Sequence, residues 1–147
     1  MATTTGTKAS ATAPIPGHGY HYAVYSRECS VALATTQLDN ADDGVELFWL
    51  PAGAVVVGAQ LRVTDMDSST GLLFDLGDAV DDDRLLVAFS GQAAGHTAAL
   101  AAAGWGYLYT AATKIILSVN TAATTGVAGT AYVQVSFRID PNYVLTT

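Results

Sequence analysis

The stretch from Val45 to Asp83 constrains the fold more than any other part of the sequence. It contains two apolar runs, VELFWL and AVVVGAQLRVT, joined by a corner at Pro51, Ala52 and Gly53. Runs of this length that are rich in Val, Leu and aromatic residues indicate β-strands. Because the corner is too short for the crossover helix that joins parallel strands, the two strands are expected to be antiparallel. The segment therefore predicts an antiparallel sandwich rather than a nucleotide-binding fold.

The rest of the chain continues this pattern of short strands and turns. Apolar and polar residues alternate from Tyr20 to Ser26, and the run SVALATTQL is a continuation or a hairpin partner, with a bulge or turn at 28–30. In the closing run TAYVQVSFRID, alternation places Val133 and Val135 on one buried face. A count of seven to nine strands suits two packed antiparallel sheets. We predict an all-β, jelly-roll-like β-sandwich.

Two departures from regular strands are expected. Gly58 interrupts the second long apolar run and is typical of a β-bulge. The Ala-rich sequence AAGHTAALAAAG within residues 92–104 has helix propensity, with Thr97 placed to cap the helix and Gly104 placed to end it. The sequence therefore predicts one short inserted helix.

The first 19 residues differ in character from the rest. Their Thr, Ala, Gly and Pro side chains are too small to bury much area against the entropy cost of ordering the chain. Pro14 and Pro16 favour extended geometry around Ile15. We predict that residues 1–19 are an extended N-terminal arm, which either lies across a neighbouring surface or is a disordered tail. Residues 20–147 are then a single domain, since a chain of 147 residues is expected to bury about 68–70% of its unfolded surface in one core.

Charge argues against nucleic acid as a partner. Only 13% of the residues are charged, about half the usual share of roughly 25%. The formal net charge is −7, and phosphate binding needs clustered basic residues. The four arginines are scattered along the chain: Arg27, Arg62, Arg84 and Arg138.

No segment approaches the roughly 20 apolar residues that a membrane span requires. The N-terminal sequence also lacks the apolar stretch of a secretory signal peptide, so we expect a soluble protein made in the cytoplasm. Cys29 is the single cysteine, which excludes an intrachain disulfide, and we interpret it as a small core residue.

The aspartates between residues 65 and 83 are candidate calcium ligands. Asp65, Asp67 and Ser69 resemble the opening of an EF-hand loop, but Leu76 stands where the bidentate Glu belongs, so we exclude an EF-hand. The preferred interpretation is that these acids cap turns and keep the loops soluble. Contact with a basic patch on a partner is another possibility. A calcium site of converging loops is the third, and its ligands would be Asp65, Asp67, Asp81 and Asp83.

No catalytic constellation is present in the sequence. His18, His21 and His96 have no Cys or His at a zinc-like spacing, and no nucleophile elbow, HExxH or phosphate-binding loop occurs. Glu46 is the only mildly suggestive acid. We predict no catalytic residue, no cofactor and no enzymatic activity.

The aromatic residues Trp105, Tyr107 and Tyr109 recur at a spacing of two, which predicts one face of a strand. Such a set either forms a platform on which a sugar stacks or belongs to the core or an oligomer contact. The second interpretation is favoured.

Two segments resemble small virion structural proteins of tailed bacteriophages, in particular capsid decoration (cement) proteins and related head proteins. The segments are LPAGAVVVGAQLRVTDMDSSTGLLFDLGD and KIILSVNTAATTGVAGTAYVQVSFRID, within residues 45–140. The resemblance lies in the order of local features, since a Pro-Gly corner enters a long strand, a short strand ends in LG-D, and a final strand follows a Thr/Gly loop. No invariant motif is shared, so host and exact family are not carried over.

The resemblance implies a β-sandwich on the outer surface of an icosahedral shell, in many cases a homotrimer, that binds the major capsid protein across capsomers. The alternatives are a carbohydrate-binding or receptor-binding module and a tail or neck component of the virion. The expected location is the virion, with no nucleic-acid or membrane partner. We predict that the arm and its junction with the domain carry the partner-binding residues: Pro14, Ile15, Pro16, Tyr20 and Tyr22.

Overall fold

The computed structural model describes residues 2–4, 23–97 and 99–140. Within these ranges the chain forms ten β-strands and one 3₁₀ turn, Thr35–Gln37, and no helix there is long and apolar enough to cross a membrane. The strands are β1 (Ala2–Thr4), β2 (Tyr25–Leu33), β3 (Gly44–Leu50), β4 (Ala54–Val63), β5 (Leu73–Asp78), β6 (Leu86–Ser90), β7 (Gly95–Thr97), β8 (Leu108–Tyr109), β9 (Thr113–Thr121) and β10 (Gly129–Ile139).

The strands form two antiparallel sheets. The first sheet has the order β1-β2-β10-β4-β7, with β8 also paired to β4, and the second has the order β3-β9-β5-β6. Six of the nine connections between the described strands cross from one sheet to the other, and β2-β10-β4-β7 and β3-β9-β5-β6 are the two four-stranded layers of a jelly roll. The predicted all-β, jelly-roll-like antiparallel sandwich is confirmed.

Alternating side chains place the core between the two sheets. In β10, Val133, Val135 and Phe137 are buried, whereas Tyr132 is exposed on the outer face. The other sheet contributes its apolar residues in the same way, because successive side chains of a strand point to opposite faces. The largest fully buried side chains are Phe74, Leu38, Leu50, Leu61, Met66, Leu72, Leu76, Leu85 and Ile115.

Two local predictions on the strands have opposite outcomes. The bulge near Gly58 is confirmed, since Ser136 pairs with Gly58 and Phe137 with Val56, which leaves Val57 as the extra residue. The bulge or turn at 28–30 is wrong, because β2 pairs with β10 without a break through these positions. Polar residues on the outer face of β2 interrupt the apolar pattern there without interrupting the strand.

The helix predicted within residues 92–104 is wrong. Gly95–Thr97 form β7 and pair with β4, and the Ala101 carbonyl accepts the Gly104 N–H in a turn. The Ala101 N–H donates to the carbonyl of Leu85 rather than to a helical neighbour. Pairing with existing strands satisfies the backbone here, so tertiary contacts override the helix propensity of the alanines.

The predicted arm lies largely outside the described residues. Ala2–Thr4 are the exception, since their backbone pairs with β2, where Thr4 lies opposite Ser26. The boundary between residues 19 and 20 lies outside the described residues and stays a prediction.

Gly77 provides a test of how tightly the turn after β5 packs on the second sheet. A Cβ at Gly77 would overlap the carbonyl oxygen of Asp81 and lie 2.6 Å from that of Asp82. At Gly58 the nearest atom, on Ser136, would be 3.6 Å away, which is ordinary contact. Gly77→Ala is expected to lower the free energy of unfolding by about 1–3 kcal/mol, because a backbone atom must move.

Urea unfolding followed by tryptophan fluorescence measures this difference. Gly58→Ala is the matched control and is expected to change stability by less than about 0.5 kcal/mol. Equal unfolding midpoints for the two variants would show that the turn does not pack against Gly77.

Candidate partner-binding surface

Three large apolar side chains are exposed at one end of the sandwich. Val80 is 90% exposed, Trp105 is 68% exposed and Trp49 is 54% exposed. This end is formed by the corner at 51–53, the turn at 79–84 and the turn at 101–106, and we call it the Pro51 end. Exposed clusters of large apolar residues mark interaction sites on soluble proteins.

Strand pairing places these three residues at the same end. Trp49 lies opposite Lys114 at the start of β9, and the next residue of β9, Ile115, lies opposite Asp78 at the end of β5. Val80 follows Asp78 by two residues. The turn that carries Trp105 lies alongside both layers, because Gly106 donates to the Val56 carbonyl and Ala101 to that of Leu85.

Lys114 orders the surface around Trp49. Its ammonium group lies 5.1 Å from the centre of the Trp49 ring and forms an ion pair with Glu46. A cation over an indole ring is attracted by the negative face of the ring. Lys114 therefore holds the exposed Trp49 ring against the second sheet.

A buried ion pair lies beneath Val80. Asp78 is 2% exposed, and one of its oxygens accepts hydrogen bonds from the backbone N–H groups of Val80 and Asp81 at 2.9 and 3.2 Å. The other oxygen accepts Arg84 Nε at 2.7 Å and the Tyr109 hydroxyl at 3.0 Å. All four donors bind the Asp78 carboxylate, and two of them are backbone N–H groups of the turn that carries Val80. These bonds fix the shape of that turn.

These contacts determine how Asp78 ionises. Burial alone would raise the pKa of Asp78, but the hydrogen bonds from Arg84, Val80 and Tyr109 favour the charged form and hold the pKa below its usual value. The pKa of Tyr109 is raised by burial and by the negative charge of Asp78. The site therefore contains an ionised Asp78 bonded to a neutral tyrosine.

Arg84 also packs against the aromatic residues that follow the turn at 101–106. Its guanidinium group lies 3.9 Å above the centre of the Tyr107 ring, and Tyr107 contacts Tyr109 edge-to-face with ring centres 4.9 Å apart. Gly104 packs so closely on Arg84 that an added Cβ would lie 2.6 Å from the Arg84 carbonyl oxygen. Trp105 therefore projects from a turn held in place by buried side chains.

The alternative interpretation of Trp105, Tyr107 and Tyr109 as a sugar-binding platform is wrong. Trp105 is exposed, but Tyr109 is 4% exposed and belongs to the core, and Tyr107 is partly covered by Arg84. Gly106, with φ of +74°, turns the chain between Trp105 and Tyr107. A residue in this conformation breaks the alternation of a strand, so the regular spacing in the sequence does not produce one aromatic face.

An acidic turn borders Val80. The carboxylate oxygens of Asp81, Asp82 and Asp83 lie within 4.8 Å of one another. Arg84 lies 3.4 Å from Asp81 and neutralises part of this charge. The pKa of Asp83 is raised by a hydrogen bond with Asp81, by burial and by the charges of neighbouring acids. The Pro51 end therefore combines exposed apolar side chains with concentrated negative charge.

The four candidate calcium ligands do not converge. Asp65 and Asp67 precede β5, whereas Asp81 and Asp83 follow it. A strand of six residues spans about 20 Å, so the two pairs lie at opposite ends of the sandwich. The structure thus provides no single site for the four acids of this alternative.

Asp67 has a structural role. It is 1% exposed and accepts hydrogen bonds from four backbone N–H groups, those of Ser69, Leu72, Thr124 and Thr125. Burial alone would raise the pKa of Asp67, but these four bonds hold its pKa below the usual value. Asp67 therefore joins two loops at the end opposite Pro51, as expected for a turn-capping acid.

The other predicted site residues are dispersed. Pro14, Ile15, Pro16, Tyr20 and Tyr22 lie outside the described residues, as do His18 and His21. His96 is exposed on β7 and lies opposite Arg62 of β4. Cys29 packs against the core, and burial raises the pKa of its thiol, which disfavours the reactive thiolate.

Sequence reasoning missed Val80 and the pairing of Asp78 with Arg84. Val80 is a single apolar residue among acids, and its exposure depends on the shape of the turn. Asp78 stands in the same acidic run as the solvent-exposed Asp82. The six-residue spacing to Arg84 carries no general signal for an ion pair.

Asp78→Asn is expected to destabilise the protein by about 3 kcal/mol at neutral pH, the lower end of the range for a broken buried ion pair, because Arg84 keeps only its longer ion pair with Asp81. The folded pKa of Asp78 lies below its unfolded value of about 3.9. The contribution of Asp78 to the free energy of unfolding is therefore complete above the unfolded pKa. It is lost as the pH falls through the folded pKa. The variant should show a weaker loss of stability between neutral and acidic pH than the unmodified protein.

Urea unfolding at a series of pH values measures both effects. Asp82→Asn is the matched control, since it removes an exposed acid of the same turn and should change stability by less than about 0.5 kcal/mol. An Asp78→Asn variant with unchanged stability at neutral pH would contradict the assignment of this ion pair.

Two solved structures are similar to this chain over most of its length. A chain described as "Cyanophage Pam1 capsid asymmetric unit" matches with a TM-score of 0.68 and 27% identity, covering 89% of this chain and 95% of that chain. A chain described as "Capsid of Ralstonia phage GP4" matches with a TM-score of 0.65 and 25% identity, covering 88% and 90%. No protein-family model and no curated protein matches the sequence. The resemblance to phage head structural proteins inferred from the sequence is confirmed by these two capsid chains.

Proposed function

We propose that this protein decorates and stabilises a phage capsid by binding the major capsid protein across capsomers on the outer surface of the shell. The observation that carries the proposal is the likeness to chains of two phage capsids, each over nearly nine tenths of this chain. It supports a structural, non-enzymatic role in the virion. A tail or neck component is the alternative, and the likeness to capsid chains favours the head.

The Pro51 end is the part of the surface that best fits a capsid contact. Tryptophan is enriched among residues that dominate binding energy at protein interfaces. Trp105 and Val80 are exposed and lie above a buried ion pair, so little side-chain or loop entropy is lost when a partner covers them. The neighbouring Asp81–Asp83 turn favours a partner surface with basic residues and would accelerate association with it.

The first and last long strands, β2 and β10, also reach this end. β2 begins at Tyr25, opposite Phe137 near the end of β10, and Asp140 donates its N–H to the carbonyl of Gly53. Thr4 lies opposite Ser26, so the 18 residues between Thr4 and Ala23 start and finish beside the Pro51 end. The proposed partner residues Pro14, Ile15, Pro16, Tyr20 and Tyr22 belong to this 18-residue stretch. We assign them to the arm contact.

Decoration of this kind acts by mass action. A protein that binds the assembled shell, and not its free subunits, stabilises assembly in proportion to its occupancy. A homotrimer would link neighbouring capsomers through several modest contacts whose combined avidity exceeds that of any one of them. The proposal therefore requires no single tight contact and no catalytic group.

Deletion of residues 2–19 tests the arm. The domain should still fold, because its core residues lie between Tyr25 and Phe137, but binding to the shell should weaken. Full-length and truncated protein are titrated onto capsids that lack the decoration protein, and bound copies are counted after sedimentation. Ile15→Asp in the full-length chain keeps the arm length and should also weaken binding. Truncated protein that decorates capsids with unchanged affinity would refute the arm contact.

Trp105→Ala tests the Pro51 end. If Trp105 is a hot spot, its truncation costs at least about 2 kcal/mol, which corresponds to a loss of affinity of about thirtyfold or more. Thermal stability should be nearly unchanged, since the indole is mainly in solvent. The rates of association with and dissociation from immobilised capsids give the affinity. Val127→Ala, at the opposite end and 45% exposed, is the control, and equal dissociation of the two variants would exclude the Pro51 end as the contact.

A further inference from the structure

The outer face of the first sheet carries a concave polar surface that the proposed capsid contact does not use. The concavity has a volume of about 610 Å³ and spans β2, β10, β4 and β7. Two cross-strand rows line it. One consists of Tyr132, Arg62 and His96, and the other of Glu28, Gln134 and Gln60. We call these six residues the polar face.

The polar face has unused hydrogen-bonding capacity. Within the described ranges, the side chains of Glu28, Gln60, His96 and Gln134 make no hydrogen bond or ion pair with the rest of the protein. Together they offer two amides, an imidazole and a carboxylate as donors and acceptors. A ligand with many hydroxyl groups can satisfy all of them.

An aromatic ring lies among these groups. Tyr132 is 41% exposed, and the Arg62 guanidinium lies 4.0 Å from its ring centre. The guanidinium covers one face of the ring, so a ligand can contact only the exposed remainder of the ring, beside the guanidinium N–H groups. An aromatic surface next to polar groups suits a ligand that presents both C–H and O–H groups.

The framework under the polar face is rigid. β10 pairs with β2 and with β4 along nine positions each, so its outward side chains are fixed by strands on both sides. The neighbouring row contains Ser26, Ser136 and Gly58, which are small and leave that side of the concavity open. A site built on central strands is positioned more accurately than one built on loops.

Other ligand classes fit the polar face poorly. Glu28 and His96 are three strands apart, about 14 Å, which is too far for a shared metal ion. A polyanion would meet a single arginine on a protein of net charge −7. The buried centre of a protein interface is depleted of charged residues, whereas both rows here contain one.

We propose that the polar face binds a neutral oligosaccharide. The Gln60 and Gln134 amides and the Arg62 guanidinium donate to sugar hydroxyls, Glu28 accepts from them, and the Tyr132 ring contacts the C–H face of one residue. This site is distinct from the alternative platform considered at Trp105, Tyr107 and Tyr109. It also does not depend on the proposed role in the capsid.

Titration of ¹⁵N-labelled protein with three glucose hexasaccharides of different linkage, maltohexaose, cellohexaose and isomaltohexaose, tests the inference. At least one should give saturable amide shifts confined to β10, β4 and β2 around Gln134, Gln60 and Glu28. Tyr132→Ala and Gln134→Ala should each weaken that binding about tenfold or more, the equivalent of one lost contact of about 1.4 kcal/mol. A hexamer of galacturonic acid, which is anionic, should bind more weakly.

Gln92→Ala, which removes a glutamine outside the polar face, should bind like the unmodified protein. Absence of saturable shifts with all three neutral hexasaccharides would overturn the inference. A change of sedimentation coefficient in Tyr132→Ala would overturn it as well, because the face would then be an interface between copies of the chain. Neither result would affect binding to capsids, which the arm deletion and Trp105→Ala measure separately.

Discussion

Three buried carboxylates on and around β5 hold the second sheet to its loops. Asp67 joins two loops before the strand, and Asp78 organises the turn after it. Between them, Asp75 accepts the N–H of Ala88 on β6 at 2.6 Å and the side-chain amide of Asn120 on β9 at 2.7 Å. Hydrogen bonds to charged groups contribute about 1.5–3 kcal/mol each, roughly twice as much as neutral ones. The shape of both ends of the sandwich depends on these acids.

The fold could be predicted because strand alternation is a local property. Val133 and Val135 face the core for the reason visible in the sequence, and the extra residue beside Gly58 follows from a glycine in a long strand. The inserted helix could not be excluded from the sequence. Its alanines favour a helix in isolation. In the fold, Gly95–Thr97 pair with β4 and the Ala101 N–H donates to the Leu85 carbonyl, and both partners are distant in sequence.

The candidate site was predicted less well, because its residues are distinguished by long-range contacts. Asp78 and Asp82 have similar sequence surroundings, but one is buried against Arg84 and Tyr109 and the other faces solvent. The aromatic spacing from Trp105 to Tyr109 is visible in the sequence, but a single glycine in the left-handed region separates an exposed residue from a buried one. Packing, rather than composition, decided these roles.

The position of the Pro51 end explains how the fold can present two different surfaces. In a jelly roll the loops gather at the ends, and the outer faces of the sheets run between them, so loop residues can vary while the sheets stay constant. Val80 and Trp105 belong to an end, whereas Tyr132 and Gln134 lie on a face. A copy that docks by its end therefore leaves the face of its first sheet accessible.

This geometry gives weak sugar binding a physical use. A single open concavity on the face of a sheet makes few contacts, so its affinity for one oligosaccharide is expected to be modest. A shell that carries many copies, all docked by the same end, would present many such sites at fixed spacing. Each bound sugar then raises the effective concentration of the next on the same polymer, and the particle is retained with far greater avidity than one copy. Because the ion pair of Asp78 and Arg84 fixes the shape of the Pro51 end, copies docked by that end would share one orientation, and their sites could bind one polymer together.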